Sequence, residues 1–576
     1  MGFRCDRATL ERLEWPRLAD RLAGLAATER GADACRGDLF APTRASVADR
    51  LAETTEARGL LDAGEEIPFG GVHDLRELVR GLGLGGPVAP GEALRVFTTL
   101  QAARRICSFL ADREARVPEL ASLGATLPDL RPLEREIEQR ISPEGELRND
   151  ASPALARAHR RVREHRSAIE RRMNAALRDP AIAPYLQDGY ATFRENRPVL
   201  PIRADARGQV RGLVHDVSSS GTTLFIEPES VVEPGNQLRM AENERDREAE
   251  RILRELADRI RAESIALEST GETLEALDVI LAKARLSLRV DATRPEVGAG
   301  ASLRLLQLRH PLLLLEGALP PDSVVPNDVA IPSEARGLLI SGPNAGGKTV
   351  VAKAVGLAAL AVRAGLHVAC APGSSLPVFD AVSADIGDEQ DLRSGLSTFS
   401  ARMSNLADIL ASADSDTLVV LDELGDGTEP GEGAALAQSV LETLVDRGAL
   451  VIATTHFNRL KELAGQDPRF VNASAEFDRE TLHPTYRIQL GVPGSSGATW
   501  VAERMGLASA VVERARELLD REDRKLEALT RSLSELRQEL EAERTLAARA
   551  REESEGTRAE LEIRLETLRG ARGDEG

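Results

Sequence analysis

Aromatic side chains make up only 3% of this 576-residue chain, so its cores must be filled mainly by Leu, Ala and Val. Lysine is scarcer still. Five of the 74 basic residues are lysines (Lys283, Lys348, Lys353, Lys461 and Lys525), which reads as compositional drift towards arginine. The four cysteines, Cys5, Cys35, Cys107 and Cys370, are far apart and form no C-x-x-C pair. That spacing argues against a zinc ribbon or a disulfide framework and fits reduced thiols in the cytoplasm. The stretch Met1 to Arg7 lacks the apolar core of a signal peptide. The longest apolar run, around Val355 to Cys370, is broken by Arg363 and His367 and is too short to span a bilayer. A cytoplasmic protein without a membrane partner is expected. The net charge of −19 excludes a uniformly basic coat, although a local basic surface is still allowed.

What is present is more telling. Gly342-Pro343-Asn344-Ala345-Gly346-Gly347-Lys348-Thr349 reads G-x-x-x-x-G-K-[ST]. The apolar strand Gly337 to Ser341 precedes it, and a helical pattern follows from Val350 to Val362. This is the context of a phosphate-binding loop, in which backbone N–H groups and a helix N-terminus face an anion. Lys348 would reach the β- and γ-phosphates of ATP, and the Thr349 hydroxyl would ligate Mg²⁺. Thr417 to Leu421 is a second apolar strand, and it ends in Asp422 and Glu423. Beside such a loop, Asp422 would hold the Mg²⁺ shell and Glu423 would deprotonate the attacking water. The pair suggests hydrolysis rather than phosphoryl transfer to a metabolite. His456 follows the strand Leu450 to Ala453 and the pair Thr454-Thr455. There it would sense or polarise the γ-phosphate, the alternative being a buried neutral histidine.

Length predicts three or four domains. Residues 1–130 read as helices punctuated by Pro and Gly, a helical core domain. Residues 131–295 read as long charged lever or clamp helices with an inserted β-hairpin at about 187–227. In 303–515, strand-like runs at 337–341, 417–421 and 449–453 alternate with helices, which indicates an α/β sheet. In 516–570, Leu526, Leu529, Leu533, Leu536 and Leu540 follow 3-4-3-4 spacing. They suggest a coiled coil or a single amphipathic helix packed on the domain. The fold class is therefore multidomain: a mainly α-helical core and lever region, an α/β P-loop ATPase domain, and a C-terminal coiled-coil-like helix.

The motif order supports a more specific assignment. Gly342 to Thr349, Ser397-Thr398-Phe399-Ser400, Leu418 to Pro430 and Ala453-Thr454-Thr455-His456 resemble the MutS family within the ABC-type ATPases. The resemblance implies two composite ATP sites across a homodimer, with Ser397 and Thr398 approaching the nucleotide of the partner subunit. Asn344 looks like a MutS choice, and His456 resembles that family's switch histidine. Arg197 to Ile202, Val214 to Pro228, Asp385 to Gln390 and Gly491 to Ser496 are similar to the second bacterial branch, MutS-II. That branch implies action on branched or recombining DNA, restraint of recombination, and work on stalled ribosomes. ATP and Mg²⁺ are the expected cofactors, and DNA the expected partner, with ribosomal RNA as the alternative.

The chain also departs from its relatives. Nothing before residue 130 resembles the mismatch-recognition domain, and Phe193-Arg194-Glu195 matches its F-x-E letters by coincidence. No Smr-like segment follows the last helical pattern; whether the protein is naturally short or the sequence truncated, Smr nuclease activity is not assigned. Between Arg157 and Arg178 lie eight arginines against Glu164 and Glu170. Arg157, Arg160, Arg161, Arg171 and Arg172 are candidates for a phosphate-contacting face that would bind without sequence readout. A solvated helix with salt bridges across a dimer explains them equally well. Two rivals to the clamp stand at this point: a P-loop kinase, disfavoured by Glu423 and Ser397, and a non-hydrolysing scaffold held by the coiled coil.

Overall fold

The computed structural model describes residues 2–83, 85–195, 197–298, 302–317, 320, 323–343, 346–387, 398–426, 428–477, 484–494, 502 and 505–518. Contacts divide the chain into two units. One comprises Met1–Ala26, Ala32–Glu65 and Val279–Gly576, and the other Ala27–Gly31 and Glu66–Asp278. Among the described residues no helix is long and apolar enough to cross a membrane. The coiled-coil pattern at 526–568 lies outside them.

The chain opens with four helices, α1 (Arg7–Arg12), α2 (Trp15–Ala23), α3 (Glu29–Arg36) and α4 (Arg44–Asp62). Asp6 caps α1 by accepting from the Thr9 amide, and Thr43 and Ser46 form a capping box at α4. These helices do not form a core with the segments up to residue 130, as the sequence suggested. Leu13, Trp15, Leu18, Leu22, Val47 and Leu51 join the buried cluster of the main sheet instead. Hydrophobic periodicity marks the apolar face of a helix but not what covers it, which explains the difference.

The second unit continues with α5 (Arg76–Gly83), α6 (Pro90–Ala111), α7 (Pro118–Ala125), α8 (Arg131–Arg140) and the long α9 (Pro153–Arg178). Four strands follow, β1 (Thr192–Arg194), β2 (Arg197–Arg203), β3 (Gly212–Val217) and β4 (Thr223–Pro228), paired in the order β1-β2-β4-β3. Then come α10 (Glu229–Ala262) and α11 (Ser264–Arg289), the latter running on into the first unit. Helices α9 and α10 are antiparallel. Arg161 pairs with Glu244, Arg166 with Glu242, and Arg172 donates to the Ser230 carbonyl. Ile169, Met173 and Ala176 on the last turns of α9 pack on Leu200, Ile202, Leu224 and Ile226 of the sheet.

Back in the first unit lie β5 (Arg304–Leu308), α12 (Pro311–Leu315) and β6 (Asn327–Ala330), with β5 and β6 paired. The main sheet is built from β7 (Gly337–Ser341), β8 (Ala381–Asp385), β9 (Thr417–Leu421), β10 (Leu450–Thr455), β11 (Phe470–Phe477) and β12 (Pro484–Leu490). Their order is β12-β11-β7-β10-β9-β8. Every pairing is parallel except β11 with β12. Strands β7, β9 and β10 are buried along their whole length, hence their unbroken Leu, Val and Ile runs. Helices α13 (Lys348–Arg363), α14 (Thr398–Ser412), α15 (Pro430–Asp446) and α16 (Asn458–Gln466) connect them.

Helix α13 is central and small-residue-rich, and this lets the N-terminal helices approach. A Cβ on Gly356 would stand 2.5 Å from Leu13 Cδ2. In its last turn Arg363, 1% exposed, donates to the carbonyls of Pro42 and Phe379 and pairs with Asp380.

Candidate nucleotide site

The order β7-β10-β9 places three strand ends side by side at the carboxyl edge of the sheet, where α/β folds bind ligands. The phosphate-loop sequence leaves β7 and enters α13 through Gly347, whose φ of +85° favours glycine. The loop is packed too tightly for larger residues. A Cβ at Gly346 would lie 2.7 Å from Ala475 Cβ, and one at Gly342 3.1 Å from it. From the other side the Gly494 amide donates to Ser341 Oγ at 2.7 Å. Asn344 and Ala345 lie outside the described residues, and Pro343 stands just before them.

Lys348 opens α13 with its side chain buried, and Nζ donates to the Gly342 carbonyl at 2.6 Å. Burial lowers its pKa, while Glu423, whose Oε1 is 4.0 Å away, pulls it back up. One residue later the Thr349 hydroxyl meets Asp422 at 2.9 and 3.0 Å to its two oxygens. The hydroxyl and the carboxylate named for the Mg²⁺ shell are thus adjacent, although 73 residues separate them in sequence. Two oxygen donors beside a buried ammonium and a glycine cradle fit Mg²⁺–ATP.

Thr454 sits on β10, between the other two strands, and serves both acids. Its hydroxyl donates to Asp422 and accepts from the Glu423 amide at 2.9 Å. In the sequence Thr454 is visible only as part of the segment Ala453–His456. Glu423 itself adopts a left-handed backbone, φ +48°. Its carboxylate oxygen, that of Asp426 and an imidazole nitrogen of His456 lie within 4.8 Å of one another. Burial, then the hydrogen bond and charge of Asp426, push the Glu423 carboxyl above its usual range. His456 is 44% exposed in its side chain, with Nε2 3.4 Å from Asp426 Oδ1. It is therefore not a buried core histidine.

Tyr486 was missed by sequence reading. It is 51% exposed, its φ is +58°, and Cδ1 lies 3.3 Å from the position of a Cβ on Gly347. Asn327 pins its backbone, donating to the Tyr486 carbonyl at 3.0 Å and accepting from the Ile488 amide at 2.7 Å. The only available signal was that the chain has just three tyrosines. Of the signature segment, Thr398 begins α14, and Ser397 lies outside the described residues.

In the second unit, Arg157, Arg160, Arg161, Arg171 and Arg172 are all exposed on α9. Arg161 pairs with an acid of α10, and Arg172 is held by the Ser230 carbonyl. For Arg160 and Arg171 no side-chain hydrogen bond or ion pair occurs among the described residues. Within the MutS-II-like segments 197–202 and 214–228, Arg197, His215 and Glu227 form a polar cluster. A β-bulge between Val214 and Asp216 turns His215 inward, where Nε2 meets Glu227 at 2.6 Å. Arg197 reaches the fully buried Glu227 at 3.4 Å. These residues hold the hairpin together.

Comparison with known families agrees with this geometry. Residues 338–522 match the family model MutS domain V. An "Endonuclease MutS2" of Symbiobacterium thermophilum is 44% identical over 538 residues, covering 93% of this chain and 67% of the relative. The protein of the same name from Pelotomaculum thermopropionicum is 41% identical, covering 97% and 70%. One from Geobacillus thermodenitrificans is 38% identical, covering 96% and 70%.

Proposed function

The chain belongs to the MutS family, in its MutS2 branch, and from that membership we propose that it is an ATP-hydrolysing clamp acting on DNA. The observation that carries this reading is the meeting of Thr349, Asp422, Thr454 and Glu423 around the phosphate loop. Lys348 and the loop amides balance the charge of the β- and γ-phosphates. Thr349 and Asp422 would hold Mg²⁺, which when bound adds further charge neutralisation at those phosphates. Glu423 takes a proton from water, whose oxygen bonds to the γ-phosphorus as the bond to the β-phosphate oxygen breaks. Its raised pKa brings it closer to neutrality and makes it a stronger base. His456 steadies the γ-phosphate, and Tyr486 offers a face for the adenine. Two chains pair so that Ser397 and Thr398 of each approach the other's nucleotide.

The DNA target is a mismatched, branched or recombining duplex, gripped by the long helices of the second unit, with Arg160 and Arg171 contacting phosphates. The relatives are named endonucleases. The groups gathered around the phosphate loop of this chain support ATP hydrolysis. The target is tested by crosslinking the protein in cells, with and without Glu423→Gln, and sequencing the nucleic acid it holds. DNA enriched by the substitution is expected, whereas enrichment of ribosomal RNA would replace DNA as the partner.

A further inference from the structure

The backbone on each side of Asp422 is held from a different element. The Asp422 amide donates to the Asp385 carbonyl at 2.8 Å, and its carbonyl accepts from Arg402 Nη2. Arg402 closes a ring by donating Nε to Asp385 Oδ2 at 2.6 Å, and Asn405 holds Oδ1 at 2.9 Å. The side chains of Arg402 and Asp385 are 13% and 6% exposed, so the link is shielded from water. A planar guanidinium with two acceptors fixes the distance and angle between them, which a flexible ammonium does not. Arg402 thereby ties α14 to the ends of β8 and β9.

The consequence falls on the neighbouring acid. The carbonyl of Asp422 and the amide of Glu423 share one rigid peptide plane, so holding that plane sets the φ of Glu423. That φ is +48°, a conformation disfavoured for a residue with a full side chain. The plane is gripped at its oxygen by Arg402 and at its nitrogen by Thr454 Oγ1, 2.9 Å away. With the plane so held, the Glu423 carboxylate lies beside Asp426 and His456. Rotation of the plane would swing it elsewhere.

We infer that Arg402 is a positioning residue: through the Asp422–Glu423 peptide, the position of α14 determines where Glu423 is aimed. The inference rests on the ATPase reading and deepens it, because it makes the general base answer to α14 as well as to the nucleotide. Helix α14 begins at Thr398, one turn before Arg402, so engagement of its first turn bears directly on the grip.

The test compares the full-length parent with Arg402→Ala, Arg402→Lys and Glu423→Gln. Nucleotide affinity, steady-state hydrolysis, melting temperature and amide exchange over 421–426 are measured in each. For Arg402→Ala we expect kcat to fall about tenfold with KM and nucleotide affinity unchanged, and amide exchange in that peptide to speed up about tenfold. Arg402→Lys keeps the charge but not the fork and should fall between parent and Ala. Unchanged exchange and kcat in Arg402→Ala would overturn the proposal. So would a loss of kcat that merely tracks lost nucleotide binding or lowered melting. If the parent itself does not hydrolyse ATP while exchange at 421–426 still responds, the ATPase reading fails and the positioning role stands.

Discussion

The docking of the first helices onto the ATPase sheet can be tested at the contact of Gly356 with Leu13. A Cβ built on Gly356 stands 2.5, 3.1 and 3.4 Å from Leu13 Cδ2, Cδ1 and Cγ, well inside the roughly 3.5–4.0 Å of ordinary carbon contacts. Leu13 is fully buried, so Leu13→Ala should cost about 2–5 kcal/mol. Gly356→Ala gains up to ~1 kcal/mol from helix propensity but loses ~1–3 kcal/mol to overpacking, so it should destabilise slightly. In the double variant the new methyl enters the space vacated by Leu13. The two changes should then couple favourably by about 1–2 kcal/mol. Trp15 lies in the same buried cluster, and in a Trp500→Phe background its fluorescence reports urea unfolding there. Strict additivity, or stabilisation by Gly356→Ala as at an open helix position, would refute the packing.

Other consequences are equally open to measurement. Lys283 is fully buried, and burial, then Arg50, push its pKa down to about 8 from an ordinary 10.5. The folded chain therefore sheds this proton first, and stability should rise with pH through that window, by about 2 kcal/mol between roughly pH 7.5 and 9.5. In Lys283→Met that slope should vanish from urea midpoints. If parent and variant slopes coincide, the lysine is not buried as described. Tyr486→Ala should weaken ATP binding about tenfold, with Tyr486→Phe close to parent, if the ring stacks on the base; equal affinities by titration calorimetry would remove it from the site. Reversing charge at Arg160, Arg161 and Arg171 should weaken DNA binding and flatten its salt dependence. An unchanged salt slope would leave α9 only its structural pairs.

Sequence spoke clearly where the site is local. A strand, a glycine loop and a helix follow one another from Gly337 to Arg363, and Asp422 and Glu423 together end the apolar run Thr417–Leu421, so motif and context read together. It fell silent where the partner is distant. Asp385 and Arg402 lie 17 residues apart in sequence, and Tyr486 reaches Gly347 through the antiparallel edge strand. The candidate arginines of α9 are exposed, and Leu155, Val162, Ile169 and Met173 claim its buried face. Nothing local revealed that Arg161 and Arg166 are answered by acids of α10. Lysine scarcity takes on a second meaning. Lys283 and Lys348 are buried with Nζ on a backbone carbonyl, and the buried Lys461 donates to Asn458. At each of these sites a compact ammonium meets its acceptor, a geometry a planar fork would not reproduce.

The account rests most heavily on Glu423 as the base in a phosphate-loop site. Its direct test is ATP turnover and ATP binding by Glu423→Gln measured on the same preparation. Removing a general base should slow turnover by about a hundredfold or more while leaving affinity near that of the parent. Turnover equal to the parent's would contradict the assignment and, with it, the mechanism built on Asp422, Thr454 and Arg402.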